Sequence, residues 1–568
     1  AMTCAFDLDA FHVECPEGAP LPPEGVHYRG AYAPAQDEIL LRRYRLPRVL
    51  DFARANALDA QAIGPDDAPF GIVAPGKNWH EVRLALRALG LEHDRRVAVW
   101  KVGLVWPLEP QGLSRFAAGK RELLVVEDKT AFVETQAAAI LYHRADRPRL
   151  TGKTDSAGGA LLPCDVGFEP LDLALVIAAR LQANGLADDA LNARVQALRA
   201  SRGALLAVAA PTDVRRVPYF CSGCPHNTST KIPEGSKALA GIGCHGMALY
   251  ARPNTLVPTQ MGGEGAQWVG LRRFTKRQHV FQNLGDGTYY HSGLLAIRAA
   301  VASGANITYK ILYNDAVAMT GGQPVDGPIS PAQIAHQVRA EGVKALVLVS
   351  DDPARHHPED LPPGTRIEHR DRLDAVQREL RDTPGCTVLL YEQTCAAEKR
   401  RRRKRGELTD PDRRLFIHEA VCEGCGDCSV QSSCVSVEPV QTPLGTKRRI
   451  NASSCNKDET CLKGFCPSFV TVVGGRPKRR SASLALPSLP APPVAALGEG
   501  AFGVMIPGIG GTGVITVGAV LAMAAHLEGK AAASCDMTGL SQKNGAVYSH
   551  LQVAADAAGL GAHRLGLG

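Results

Sequence analysis

A Gly-Asp-Gly-Thr run at Gly285, Asp286, Gly287 and Thr288, answered 28 positions after the aspartate by Asn314, Asp315, Ala316 and Val317, leaves the chain few ways to fold around it. The interval accommodates a helix from His291 through Ser303 and a returning strand from Ile307 to Leu312. That is one βαβ crossover, and it delivers both motif ends to the same edge of a parallel sheet. A carboxylate, an amide oxygen and a backbone carbonyl gathered there suit Mg2+, a hard cation that shares its oxygen shell with phosphates. The flanking glycines let the backbone approach a diphosphate closely. A lone Gly-Asp-Gly is usually a surface turn. The asparagine at this distance, with Thr320-Gly321-Gly322-Gln323 behind it, favours a metal and diphosphate site.

Cysteine spacing is the second constraint. Of sixteen cysteines, eleven fall in short clustered spacings, and no secretory leader stands before them, which argues for metal or iron–sulfur ligation rather than disulfides. Cys221 and Cys224 form a C-x-x-C pair, and Cys244 and Cys395 lie within the same expected domain as Asp286. Four thiolates hold either zinc or a cubane, but zinc sites usually come as two close pairs in one small knuckle, whereas these run from position 221 to 395. His226 and His245 adjoin the ligands and read as hydrogen-bonded structural groups. A second set, Cys422, Cys425, Cys428, Cys434, Cys455, Cys461 and Cys466-Pro467, follows the two-cluster ferredoxin plan, in which the last cysteine of each run crosses to the other cluster. One cluster then takes Cys422, Cys425, Cys428 and Cys466. The other is left Cys434, Cys455 and Cys461, because Asp458 stands where the middle cysteine belongs. A carboxylate is a harder, weaker iron ligand than thiolate, so the expectation is a 3Fe-4S cluster, or a 4Fe-4S cluster with Asp458 on its labile iron; the alternative makes Asp458 a solvated turn residue with no cluster.

At 568 residues the chain needs several cores. It shows no solenoid repeat, and no run of 18 apolar residues, so a soluble cytoplasmic protein away from membranes is expected. The net charge of +7 is modest and does not imply nucleic acid. It is concentrated in seven consecutive basic residues, Lys399 to Arg405, open to three readings: a sorting or nucleic-acid tag, a solvated face, or an electropositive dock for acidic redox partners. Residues 1–30 look like the tail of a preceding domain, 31–65 like a connector, and 66–148 like an α/β unit with strands at 71–74, 97–100 and 123–126. A linker and helical segment follow at 149–200. The unit containing both motif ends covers 201–405, the cysteine-rich unit 406–475, a Pro-rich linker 476–500, and a last α/β start 501–568. There Gly508-Ile509-Gly510-Gly511-Thr512-Gly513 sits between a strand and an apolar helix, so a dinucleotide site has to be weighed; its acidic partner is ambiguous between Glu528 and Asp536.

The Asp286 and Asn314 pairing resembles the thiamine-diphosphate motif. Trp106 to Pro110 and Val126 to Lys129 resemble the transketolase C-terminal domain, and Gly508 to Gly513 with Asp536 to Lys543 resembles the start of the gamma domain of 2-oxoacid:ferredoxin oxidoreductases. In order, the motifs resemble the fused bacterial indolepyruvate ferredoxin oxidoreductases. The resemblance implies an α/β multidomain fold: a transketolase-C-like domain, a thiamine-diphosphate-binding domain, an inserted ferredoxin-like segment and a gamma domain. It implies that Asp286, Asn314 and the carbonyl of Ala316 hold Mg2+, that Gly285, Gly287 and Thr288 lie by the diphosphate, and that Cys221, Cys224, Cys244 and Cys395 hold a proximal 4Fe-4S cluster, one of two or three. The implied activity is oxidative decarboxylation of an aryl-2-oxoacid to an acyl-CoA, with coenzyme A and ferredoxin as partners and a homodimer at full length. The activating glutamate would come from a domain before residue 1, making this piece inactive alone. A non-oxidative thiamine decarboxylase would leave the cysteines idle, and an iron–sulfur electron carrier would leave Asp286 and Asn314 idle.

Overall fold

A computed structural model describes residues 2–3, 12–17, 21–22, 25–26, 33–208, 217–475 apart from 321, 323, 326 and 328, and 490, 496–498, 500–539 and 545–560. Most of the expected tail at 1–30, the Pro-rich linker, Gly321 and Gln323, and residues 540–543 of the gamma-like motif lie outside the described residues. No described helix is long and apolar enough to cross a membrane.

Five strands, β1 (Ala60–Ile63), β2 (Phe70–Pro75), β3 (Val97–Val102), β4 (Glu122–Val125) and β5 (Arg149–Thr151), make the first sheet in the order β1-β3-β2-β4-β5. Only β1 runs antiparallel to its neighbour. The unbroken apolar run of β2 requires cover on both faces. On one face Phe70, Ile72 and Ala74 pack with Val82, Leu86 and Leu89 of α1 (Gly76–Leu89) and with Leu173, Ile177 and Leu181 of α2 (Pro170–Ala183). On the other, Val73 and Trp100 pack with Leu113, Phe116 and Val125. The boundary expected at 148 therefore does not divide the fold. The helical 149–200 segment supplies α2, whose apolar stripe would otherwise stand in water, to the same core.

The second sheet contains β6 (Ala238–Leu239), β7 (Thr255–Leu256), β8 (Val280–Gly285), β9 (Ile307–Tyr313), β10 (Leu346–Ser350), β11 (Arg366–His369) and β12 (Cys386–Glu392). They are ordered β11-β10-β12-β9-β8-β6-β7, every pair parallel. The βαβ crossover read around Asp286 is present: the chain turns helical at Asp286, passes a π-helical turn at Tyr289–Gly293, and continues as α3 (Leu294–Ser303) before returning as β9. Register sets the functional edge. Leu312 pairs with Gly285 and Tyr313 with Glu392, so the carboxyl ends of β8, β9 and β12 finish level.

The cysteine-rich unit is built from two antiparallel pairs, β13 (Arg413–Ile417) with β16 (Phe469–Val473), and the hairpin β14 (Val437–Thr442) with β15 (Gly445–Ile450). In the last unit β17 (Phe502–Ile509) leads through the glycine-rich loop into α5 (Val514–Leu527), then β18 (Ala531–Met537) and β19 (Ala546–Ala554). Here β19 lies between β17 and β18, antiparallel to both. A dinucleotide fold needs the second strand parallel and adjacent to the first, so the Gly508 to Gly513 loop lacks that setting.

Two polar side chains of the first sheet, Glu122 and Thr151, are fully buried and bonded to each other. Glu122, at the start of β4, accepts from Arg180 Nε at 2.7 Å and Nη2 at 2.8 Å, from Asn184 Nδ2 at 2.9 Å and from Thr151 Oγ1 at 2.8 Å. Burial pushes its carboxyl up, and the hydrogen bonds from Arg180, Asn184 and Thr151 outweigh that, leaving it below the ordinary value. A depressed acid contributes stability above its unfolded value that is lost as pH falls through the folded one. Arg180→Met should cost about 3 kcal/mol at pH 7 by stranding a buried carboxylate, and the cost should shrink below about pH 4. Thermal unfolding across pH checks this; a pH-independent cost would contradict it.

Candidate functional site

Asp286 occupies the first helical position after β8 and is 4% exposed. Its Oδ1 accepts from the Gly287 N–H at 2.8 Å, and its Oδ2 from the Asn314 and Asp315 N–H groups at 2.9 and 3.0 Å. The carboxylate thus ties the end of β8 to the end of β9. Burial pushes its pKa up, with the three N–H groups opposing, as expected of a carboxylate without a cation beside it. Asn314, also buried, presents an Oδ1 with no hydrogen-bond partner, and an orphaned buried acceptor is costly unless something completes it. Ala316 is buried beside them, and the Thr288 hydroxyl donates to the Ile242 carbonyl at 3.3 Å. Asp315 holds φ at +58°, an uncommon conformation for a residue with a side chain. A carboxylate, an open amide oxygen and glycine backbone on one strand edge fit Mg2+ and a diphosphate.

The same edge carries the dispersed cysteines. Cys221, Cys224, Cys244 and Cys395 line one small cavity together with His226, Asn314 and Ala396. Cys395 follows β12, and its N–H donates to the Asn314 carbonyl at 2.9 Å, joining the thiol cavity to the carboxylate site through backbone. His226 spans the two, its Nδ1 3.1 Å from Ser229 Oγ and its Nε2 3.4 Å from Asn314 Nδ2. Zinc would draw its sulfurs to about 2.3 Å from one point. Among the described residues no three metal-ligating side chains converge in that way. Four thiols lining one cavity are a donor set that an iron–sulfur cluster would use.

In the cysteine-rich unit, Cys434, Cys455 and Cys461 line a second cavity. Backbone N–H groups point at sulfur: Gly223 at Cys434 Sγ (3.3 Å), Lys457 at Cys455 Sγ and Gly424 at Cys422 Sγ (both 3.4 Å). Such donors suit cluster thiolates, whose potential they tune. Cys422 and Cys428 share the unit's small core, Cys425 is exposed, and Cys466 Sγ lies 3.0 Å from Ser468 Oγ. Asp458 departs from expectation. It lines the cavity, and its carboxylate accepts from Arg370 Nη1 at 2.5 Å, Gln393 Nε2 at 2.8 Å and Thr460 Oγ1 at 2.5 Å. It is neither a free iron ligand nor a solvated turn residue.

The basic run is the helix α4 of the thiol edge (Ala396–Arg405), beginning directly after Cys395. Most of its charge is spent inside the molecule. Lys399 pairs with Asp351 at 2.8 Å, Arg402 with Asp315 at 2.7 Å, Arg400 donates to the Ser453 carbonyl at 2.7 Å and Arg403 to the Asn456 carbonyl at 3.0 Å. It is a brace between two units, not a docking patch. One further buried group, Glu264, escaped sequence reasoning, whereas His245 was read there as a hydrogen-bonded structural group and its Nε2 has no partner among the described residues. Glu264, 0% exposed, receives the Gly262 N–H at 2.7 Å and keeps Oε1 without a partner; its only sequence signal is the Gly262-Gly263-Glu264-Gly265 run. His245 stacks edge-on to His226 at 5.7 Å, and burial pushes it down to about 4, so it is neutral at pH 7.

Comparison with known proteins matches residues 60–205 to the indolepyruvate oxidoreductase domain, 241–388 to the C-terminal TPP binding domain of thiamine pyrophosphate enzymes, and 503–561 to pyruvate ferredoxin/flavodoxin oxidoreductase. The thiamine match encloses Gly285 through Ala316. Indolepyruvate oxidoreductase subunit IorA of Thermococcus kodakarensis is 26% identical over 424 residues, covering 71% of this chain and 60% of the relative. Subunit IorA of Methanothermobacter marburgensis is 25% identical over 431 residues, covering 69% of this chain and 62% of the relative. This chain therefore spans about 60% of the length of the curated relatives it matches. With a region similar to the thiamine-diphosphate-binding domain set between two regions similar to oxidoreductase domains, the chain is similar to subunit IorA of indolepyruvate oxidoreductases.

Proposed function

We propose that this chain carries the thiamine and iron–sulfur machinery of a 2-oxoacid:ferredoxin oxidoreductase that oxidatively decarboxylates an aryl-2-oxoacid of the indolepyruvate type, coenzyme A taking the acyl group and ferredoxin two electrons. The observation that carries it is the level finish of β8, β9 and β12, which sets Asp286, the open Oδ1 of Asn314 and the four-cysteine cavity side by side. Asp286, Asn314 and the Ala316 carbonyl would hold Mg2+, with Gly285, Gly287 and Thr288 by the diphosphate. Cys221, Cys224, Cys244 and Cys395 would hold the proximal cluster, Cys422, Cys425, Cys428 and Cys466 a second, and Cys434, Cys455 and Cys461 a third. Thiamine diphosphate, when bound, supplies the decarboxylating carbon chemistry, and the clusters supply single-electron acceptors. The chain's own part is orientation. The Asp286 carboxylate aligns the loop that carries Asn314, the Cys395 N–H fixes that loop to the thiol cavity, and His226 and the neutral His245 wall the space between.

The indolepyruvate oxidoreductase name of the relatives supports the aryl substrate, and their designation as a subunit supports work alongside a further polypeptide. The 66–148 region would serve as the transketolase-C-like scaffold, 406–475 as the ferredoxin-like insert and 501–568 as part of the gamma domain.

Cofactor analysis of the anaerobically reconstituted chain tests the proposal. Iron and sulfide should accompany one thiamine diphosphate per chain, bound only with Mg2+. Asp286→Asn should weaken that binding by about 100-fold with iron content unchanged, whereas Cys395→Ser should remove about one cluster and spare the diphosphate. Thiamine diphosphate without iron would favour a simple decarboxylase, and iron without thiamine diphosphate an electron carrier. Because Arg402 restrains the Asn314 loop through Asp315, Arg402→Gln should weaken Mg2+-dependent binding by about tenfold, measured by calorimetry; unchanged affinity would deny the brace a role at the site.

A further inference from the structure

The aspartate that replaces the middle cysteine of the second ferredoxin-type run has surroundings that give it another task. Its Oδ1 accepts from Arg370 and Gln393, its Oδ2 from Thr460, and its backbone carbonyl from Arg370 Nη2 at 2.9 Å. Both donor residues outside the loop belong to the thiamine-binding unit: Arg370 directly follows β11, and Gln393 directly follows β12, two residues before Cys395. The side chains of Arg370 and Asp458 are 13% and 9% exposed, so removing either partner strands a charge that is largely out of water. Each carboxylate oxygen already has a donor, and iron ligation would require giving up Arg370.

The loop bearing Asp458 also touches the Cys221 to Cys224 turn. Asn456 Nδ2 donates to the Ser222 carbonyl at 2.8 Å, Ser436 Oγ donates to Ser222 Oγ at 2.7 Å, and the Gly223 N–H reaches Cys434 Sγ. Gly223 has φ +64°, and a Cβ there would lie 3.0 Å from Asp458 Cβ, so the two loops meet at a distance only glycine permits.

We propose that Asp458 is a positioning residue: held by Arg370 and Gln393, it clamps the Cys455 to Cys461 loop against the Cys221, Cys224 and Cys395 ligands and so fixes the separation between the proximal cluster and its neighbour. This rests on both cysteine sets being cluster ligands. With both clusters bound, this contact would set the gap across which one would pass a single electron to the other.

The test compares the unsubstituted chain with Asp458→Asn, Arg370→Gln and Arg370→Lys. Hydrogen exchange of the 455–461 amides should quicken by about tenfold or more in Asp458→Asn and Arg370→Gln, and less in Arg370→Lys. Electron paramagnetic resonance of the dithionite-reduced protein should show weakened spin coupling between clusters in the same two variants, with iron, sulfide and cluster type unchanged. A 3Fe-4S signal in oxidised Asp458→Asn that is absent from the oxidised unsubstituted chain and from Arg370→Gln would make Asp458 a ligand and overturn the clamp, as would unaltered exchange and coupling in both. If the unsubstituted chain holds no iron or sulfide, the cluster assignment falls, and hydrogen exchange alone decides the clamp.

Discussion

The carboxylate of Asp286 is the interaction on which the site depends. By accepting N–H groups from Gly287, Asn314 and Asp315, it binds the ends of two parallel strands to each other. The Asn314 loop, including the left-handed Asp315, is thereby held where its carbonyl receives the Cys395 N–H. Arg402 restrains the same loop from outside through Asp315, so an arginine from the basic helix reaches the edge of the metal site.

The crossover around Asp286 was legible because it is local: the motif spacing matches one helix and one strand, and the apolar run of β9 admits no other role. The cysteine sets were legible for a different reason, since thiolates are scarce and their spacing survives long insertions; Cys221, Cys224, Cys244 and Cys395 meet in one cavity although no neighbouring sequence foretells it. What stayed hidden are ion pairs between distant segments. Arg402 and Asp315 lie 87 positions apart and Arg370 and Asp458 lie 88 apart. Charge identity alone could not tell a brace from a docking patch, nor a clamped aspartate from an iron ligand. The buried Glu122 and Arg180 pair escaped for the same reason, and with it the membership of α2 in the first core.

A glycine-rich loop between strand and helix was the most misleading local signal. Gly508 to Gly513 has the right neighbours in sequence, but the sheet puts antiparallel β19 where a dinucleotide fold needs its second parallel strand. Strand order, which no short motif encodes, separates the two possibilities.

The central claim is that one strand edge serves both a diphosphate and a thiolate-held cluster. Phosphorus-31 relaxation of bound thiamine diphosphate in the dithionite-reduced chain measures their proximity directly. The account predicts strong paramagnetic enhancement in the unsubstituted protein and its loss in Cys395→Ser at equal thiamine occupancy. Relaxation identical in the two proteins, with iron present, would contradict it.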